Sequence, residues 1–594
     1  MDMRERRSPT TEAAAPPRPL SKAAGFVPSE LDASHWETVA PLYDALLNRP
    51  VDSRAALEQW LLDRSELDAA CSEARANLYI AMTCRTDDPE TGKAYTRYID
   101  EVLPRLRPMS FELDRRLVAL ADRFPLDPDR YSVLIRNTRA DVEIFRQDNV
   151  PLQSELDKMA QRYQEISGAM TVQFQGREQT LPQMGRYLEE TDRALRESAW
   201  RAVAARRLQD RDAIDDLFDR MLDVRARVAR NAGFGDYRGY AFASMRRFDY
   251  TPQDCQSFHL AVERHIVPIV QRMDERRRRA LGVDVLRPWD LAVDEAGRPP
   301  LRPFRNGSEL LDRSRRLFQA LDGSPGGLGE MFADLGENGA PGPCLDLDSR
   351  KGKAPGGYQY TRDRSRRSFI FMNAAGLHRD VETMIHEAGH AFHAALARHE
   401  PLLAYRDSPI EFSEVASMGM ELLSMPAWGE FYSSSADLAR ARRAQLENRA
   451  LVILPWIAAV DAFQHWLYTN PGHSREQRNA AWVALMQRFG RAVSWDGLAE
   501  ERAREWHRQP HLFIHPFYYI EYGIAQLGAL GVWLHAREHG QDSALALYKR
   551  GLALGGSRPL PELFAAAGLR LDFGEETVAR LAGALESELD RADS

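Results

Sequence analysis

From residue 36 to about 167, apolar residues recur three and four positions apart, which predicts antiparallel helices broken near Pro50, Asp87, Pro108 and Pro125. Across TVQFQGREQTL (171–181) polar and apolar residues alternate about Gly176, the pattern of a small hairpin. A long helix is expected over 192–231. Residues 284–306 (Pro-rich) and 323–342 (Gly-rich) are expected to be connections or mobile loops. The period turns extended again at GGYQYT (356–361) and SFIFMN (368–373), two strands joined by the charged turn RDRSRR. Helical periodicity resumes over 381–398, 410–423 and 437–489, the last broken at Asn470, Pro471 and Gly472. It continues through 511–534, and 562–587 reads as closing helices. The fold class is mostly α, with a small β-sheet beside the helix at 381–398.

That helix, VETMIHEAGHAFHAALAR, has two faces. At about 100° per residue Val381, Ile385, Ala388, Phe392, Ala395 and Leu396 gather on one side and His386, His390 and His393 on the other. His386, Glu387 and His390 form H-E-x-x-H. Two imidazoles one turn apart suit a tetrahedral zinc ion with an open position for water, and Glu387 is placed to take a proton from that water. A third protein ligand is commonly a carboxylate, and in IEFSEVASMGMELL (410–423) Glu414, Ser417 and Glu421 share one face. Glu414 is the choice for the metal. Glu421 is the candidate to hold a ligand histidine by hydrogen bonding, with Glu382 as rival; the alternative for either is a solvent-facing acid.

Gly356 and Gly357, next to Tyr358, allow close backbone approach, so this strand either pairs with an extended peptide or only buttresses the helix. In HLFIHPFYYIEYGIAQLGALGVWL, Tyr518 and Tyr522 lie one turn apart, where phenols can donate to a carbonyl oxygen gaining charge; the alternative is an aromatic core.

Composition narrows the partners. Net charge is −8 with a pI near 6.1, so nothing draws the chain globally to nucleic acid or acidic membranes. The basic run Arg276–Arg279 ends a helix before Gly282, where cations offset the negative helix end. The longest apolar stretches, 450–460 (broken by Pro455) and 523–534, fall short of the ~20 residues a bilayer requires. Cys71, Cys84, Cys255 and Cys344 are scattered without C-x-x-C spacing, which suits a reducing compartment. Residues 1–30 carry charge but no apolar block, and read as a disordered leader. A cytoplasmic protein is expected.

Three blocks in order resemble the thimet oligopeptidase family of zinc metallopeptidases, and within it the oligoendopeptidase F branch. VETMIHEAGHAFH (381–393) is similar to its active-site helix, EFSEVASMGMELL (411–423) to its third-ligand segment, and HPFYYIEYGIAQLGAL (515–530) to its tyrosine segment. The resemblance implies one zinc ion per chain held by His386, His390 and Glu414, with Glu387 as general base. It implies substrate and oxyanion contacts from His511, Tyr518 and Tyr522, with His515 as rival to His511. Where the thimet pattern has a further tyrosine, this chain has Ala525. The implied architecture is a two-lobed helical body around a deep channel, with a helical N-terminal domain over 31–189 and a catalytic domain over 190–590.

The activity this implies is hydrolysis of internal bonds in short unfolded peptides. The alternatives are a carboxypeptidase or dipeptidyl carboxypeptidase with the same kind of site, or a non-catalytic helical peptide-binding protein. The metzincin pattern is excluded, because it requires Gly and His where this chain has His393 and Leu396. Oligomeric state is not determined by these features.

Overall fold

A computed structural model of the chain describes residues 25–336 and 344–593. Most of the expected leader, 1–24, therefore lies outside the described residues. Its last part does not hang free, since Phe26 and Val27 pack against the N-terminal helices.

Helices Trp36–Asn48, Arg54–Cys84, Leu103–Arg123 and Pro128–Ile144 enclose one apolar cluster that includes Tyr43, Leu57, Trp60, Leu113 and Tyr131. The break expected at Pro108 is absent. Pro108 and Pro104, whose carbonyl it leaves unbonded, are both exposed, so the helix continues with that carbonyl on its solvent side. The next helix, Asn149–Gly168, instead buries Leu152, Met159 and Tyr163 in a larger core that the rest of the chain shares. The helix expected over 192–231 is two, Arg193–Gln209 and Arg211–Asn231, parted at Asp210.

The expected hairpin forms as β1 (Thr171–Phe174) and β2 (Arg177–Thr180), turning through Gln175 and Gly176, both at positive φ. Three further strands make a second sheet: β3 (Leu345–Asp348), β4 (Tyr358–Arg362) and β5 (Arg367–Ala374), in the order β3-β5-β4. β4 and β5 are the expected antiparallel pair. β3 was not expected; it runs parallel to β5 and buries only Leu347, too little to leave an alternating pattern. Part of the Gly-rich stretch thought to be a loop is a helix, Leu328–Gly336, anchored by buried Leu328 and Phe332. Residues 337–343 of that stretch lie outside the described residues.

The helical run Ser435–Thr469 is long and apolar enough to cross a membrane by length and composition, although the sequence pattern appeared broken at Pro455. Pro455 falls in the first turn of Ile453–Thr469, where its missing N–H costs nothing, and a wider turn over Gln445–Leu451 joins the two segments. Most of the apolar window, 72 %, is buried inside the fold, as in the core helix of a globular protein.

Candidate metal centre and its surroundings

The motif helix spans His378–Ala397, starting three residues earlier than the periodicity indicates. Asp380 accepts hydrogen bonds from the backbone N–H groups of Leu377 (2.9 Å) and Ala375 (2.8 Å), so a carboxylate satisfies donors at the positive helix end. Val381, Ile385, Ala388 and Phe392 are buried in the main core, which turns His386 and His390 toward the helix Ile410–Leu423. These two helices touch at Gly389. A Cβ there would stand 2.5 Å from the Ala416 carbonyl oxygen and 2.7 Å from the Ser417 Cα, so only glycine permits this approach.

The approach brings three donors together. His386 Nε2 lies 3.5 Å and His390 Nε2 3.9 Å from Glu414 Oε2, and one ligand atom from each of the three lies within 4.8 Å of the others. Four-coordinate zinc with Zn–N of 2.0–2.1 Å requires donors about 3.3–3.5 Å apart, so two imidazoles and a carboxylate at these separations fit such an ion after small adjustment. Ser417 Oγ donates to Glu414 Oε2 (2.9 Å), steadying the carboxylate. Glu421 Oε1 is 2.7 Å from His386 Nδ1, which leaves Nε2 facing the other donors. Glu421 is itself held by Gln445 Nε2 (2.7 Å) and Arg449 (3.3 Å), two residues that the sequence reading missed.

Glu382 bonds neither His386 nor His390 among the described residues. It pairs with His378 Nε2 at 3.3 Å, one turn back along its own helix. His393 also leaves the group, since its ring is buried with Nδ1 3.9 Å from Asp407.

Charge is divided unevenly among these groups. Burial works against a protonated His386, but the hydrogen bond and charge of Glu421, helped by Glu414 and Glu387, hold its pKa up at about 9. Burial and the His386 charge push His390 down to about 3. Burial raises Glu387 to about 7, a value suited to a group that exchanges protons near neutrality. Burial would raise Glu421 too, but Arg449, His386 and Gln445 keep it ionised, at about 2.

β4 lies beside Glu387. In the Gln359–Ile370 pair, the Ile370 N–H points away to the Cys344 carbonyl, so the backbone groups of Gln359 face the sheet's outer edge. The Gln359 backbone there moderates the rise that burial gives the Glu387 pKa. The residues singled out next to it serve the fold. Tyr358 turns its phenol to Thr83 (2.6 Å) on the helix Arg54–Cys84 and stacks on Phe371. At Gly357 a Cβ would press on Thr383 (3.2 Å), so this glycine lets the strand lie against the motif helix, and Gly356 (φ +99°) makes the bend before it. These contacts give Tyr358, Gly356 and Gly357 packing roles through their side chains and bends.

Tyr518 and Tyr522 are half-buried, with ring centroids 5.4 Å apart, at the start of the helix Tyr519–His539. Burial raises both phenol pKa values, Tyr522 to about 12, with the Glu414 charge adding to the rise in each. His511 sits against the rings of Tyr519 (4.8 Å) and Tyr522 (5.9 Å), with Gln509 2.7 Å from its Nδ1. His515 is exposed, with its ring centroid 5.9 Å from that of Tyr518. Ala525 is fully buried.

The turn that delivers Tyr518 passes through Phe517 at φ +67°, a conformation unfavourable for a bulky side chain. Three bonds hold it: the Phe517 N–H donates to Gln464 Oε1 (2.5 Å), and Arg247 donates to the Phe517 carbonyl (2.5 Å) and to Glu521 (2.9 Å). Gln464 and Arg247 both lie far from this turn in sequence, so no local pattern pointed to them.

The fold and this donor set define a class: a mostly helical protein with an H-E-x-x-H helix and a carboxylate-bearing helix packed against it. Comparison with known proteins makes the assignment specific. Residues 186–582 match the model of peptidase family M3, and residues 26–145 match the M3 N-terminal domain, so the chain belongs to that family, in its oligoendopeptidase F branch.

Among solved structures, PZ peptidase A with an inhibitor is 27 % identical with a TM-score of 0.82, covering 94 % of this chain and 98 % of that one. A candidate oligoendopeptidase F is 29 % identical with a TM-score of 0.83, covering 94 % and 97 %. Oligopeptidase PepF of Bacillus subtilis is 22 % identical over 275 residues, which is 45 % of this chain and 38 % of the relative. Group B oligopeptidase PepB of Streptococcus agalactiae is 22 % identical over 233 residues, 39 % of this chain and 36 % of the relative. The matched stretches thus span well under half the length of these curated relatives.

Proposed function

We propose that the chain is a zinc-dependent oligoendopeptidase that cuts internal bonds of short, unfolded peptides. The observation that carries this reading is the meeting of His386, His390 and Glu414 donor atoms within 4.8 Å, with Glu387 next in the chain to His386. A zinc ion bound there would supply a Lewis acid that acidifies water and stabilises negative charge. Glu421 fixes the His386 ring so that Nε2 is the free donor. Glu387 takes a proton from the attacking water and returns it to the leaving amine, which its raised pKa favours. Tyr518 and Tyr522 stay protonated at neutral pH and donate to the carbonyl oxygen as charge develops there. The outer edge of β4 offers backbone groups to an extended peptide. The proposal includes a cytoplasmic location, resting on the scattered cysteines.

The test uses two mixed peptide libraries, one with both termini blocked and one with free C-termini, each incubated with the purified protein with and without a chelator and read by mass spectrometry. Internal cleavage that the chelator abolishes is the expected result. Trimming confined to peptides with a free C-terminus would replace the endopeptidase reading with the carboxypeptidase one.

A further inference from the structure

Away from the H-E-x-x-H helix, a second group of metal-binding side chains is assembled by the same device of paired residues one turn apart. Cys255 and His259 lie at i, i+4 on the helix Pro252–His265, and Asp461 and His465 at i, i+4 on the helix Ile453–Thr469. The two helices pack together, so all four side chains meet in the interior. Cys255 and Asp461 are 0 % exposed, His259 5 % and His465 6 %.

The hydrogen bonding is incomplete in a particular way. His259 Nε2 and Asp461 Oδ2 are 2.8 Å apart, a good bond. Asp461 Oδ1 has no partner, and neither has either ring nitrogen of His465. His465 Nε2 is 3.3 Å from Asp461 Oδ2 without the geometry of a hydrogen bond. Ligand atoms of Cys255, Asp461 and His465 lie within 4.8 Å of one another. Buried polar groups are seldom left unmatched, because each costs about 1–3 kcal/mol. Atoms that gather without bonding one another are instead spaced like donors around a common centre, as His386, His390 and Glu414 are at 3.5 and 3.9 Å.

We propose that Cys255, Asp461 and His465 form a second, buried site for a zinc-like divalent cation, with His259 holding the Asp461 carboxylate in place. Charge supports it. A thiolate and a carboxylate balance a dication, so the loaded interior is neutral, whereas the metal-free one buries a carboxylate among imidazoles. The sulfur donor selects zinc or a similar transition metal over magnesium or calcium. Closed within the core, the site is structural in kind, and it bears on the tyrosine turn. The His465 ring packs against Phe517 at 5.4 Å, and its chain neighbour Gln464 accepts the Phe517 N–H. An ion here would brace the two helices and, through them, the residue before Tyr518.

The test uses the full chain, stripped of metal and titrated with cobalt(II), whose absorption reports its donors. Two equivalents should bind, one of them with a near-ultraviolet thiolate-to-cobalt charge-transfer band. The donors His386, His390 and Glu414 contain no sulfur and cannot give that band. Cys255→Ala should lose the band and one equivalent. His386→Ala should lose the other equivalent and keep the band, which separates this proposal from the fate of the peptidase reading. A wild-type chain and a His386→Ala variant that show no sulfur band at excess cobalt would overturn the proposal even if Cys255→Ala failed to fold. So would a band that survived in Cys255→Ala.

Discussion

In the proposed site Glu421 acts on a ligand histidine without touching the ion. It is almost fully buried and bonded to His386, Gln445 and Arg449, so its negative charge is fixed against His386 Nδ1. Glu421→Gln should weaken zinc binding about 10–100-fold, measured by competition with a chromophoric chelator, whereas Glu382→Gln should leave it unchanged. The same pairing makes metal affinity depend on pH. In the metal-free chain His386 is protonated below about 9, while His390, depressed to about 3, is already neutral. Zinc must therefore displace one proton from His386, and affinity should rise roughly tenfold per pH unit between pH 6 and 9 before levelling. A flat profile across that range would show that His386 is not the titrating ligand.

The proposed metal centre depends on two helices approaching closely, and Gly389 permits that. Gly389→Ala sets a methyl group against the Ala416 carbonyl oxygen, which is backbone and cannot swing aside. The helix carrying Glu414 must then move. The expected result is a loss of about 1–3 kcal/mol in stability from overpacking, with zinc retention reduced more than thermal stability would explain. Denaturant melts and metal analysis of the same preparation check both.

Elements were legible in the sequence where one residue pattern decided them. The motif helix, Ile410–Leu423 and the β4–β5 hairpin each carry a clear period, and Glu421 shares a helical face with Glu414. What escaped depends on contacts distant in the chain. β3 is too short to show alternation, and the positive φ of Phe517 is held by Gln464 and Arg247. The choice between Glu421 and Glu382 turned on which way each points, which helical spacing alone does not decide. Tyr358 was ambiguous for the same reason: its backbone belongs to the strand beside Glu387 while its phenol belongs to Thr83.

At the scale of the whole molecule, the N-terminal helices support the sheet next to Glu387. Ile80 packs with Phe369 and Phe371, Arg75 donates to the Tyr360 hydroxyl (3.1 Å), Ser72 to Asp363 (2.6 Å) and Arg362 to Asn77 (2.8 Å). Leu402 and Tyr405, just beyond the motif helix, are buried in the N-terminal cluster. A fragment beginning at residue 149 would bare this apolar surface. It should aggregate on size-exclusion chromatography and show no peptide hydrolysis, whereas a soluble, active fragment would show that the catalytic body needs no such support.

The central claim is that His386, His390 and Glu414 hold the ion while Glu387 moves the proton. Its most direct test is Glu387→Gln, with zinc content and turnover measured on one preparation. The account predicts that zinc bound at this centre is retained while kcat falls by about 10²–10⁴-fold. A Glu387→Gln protein that keeps its zinc and turns over peptide at the wild-type rate would contradict it.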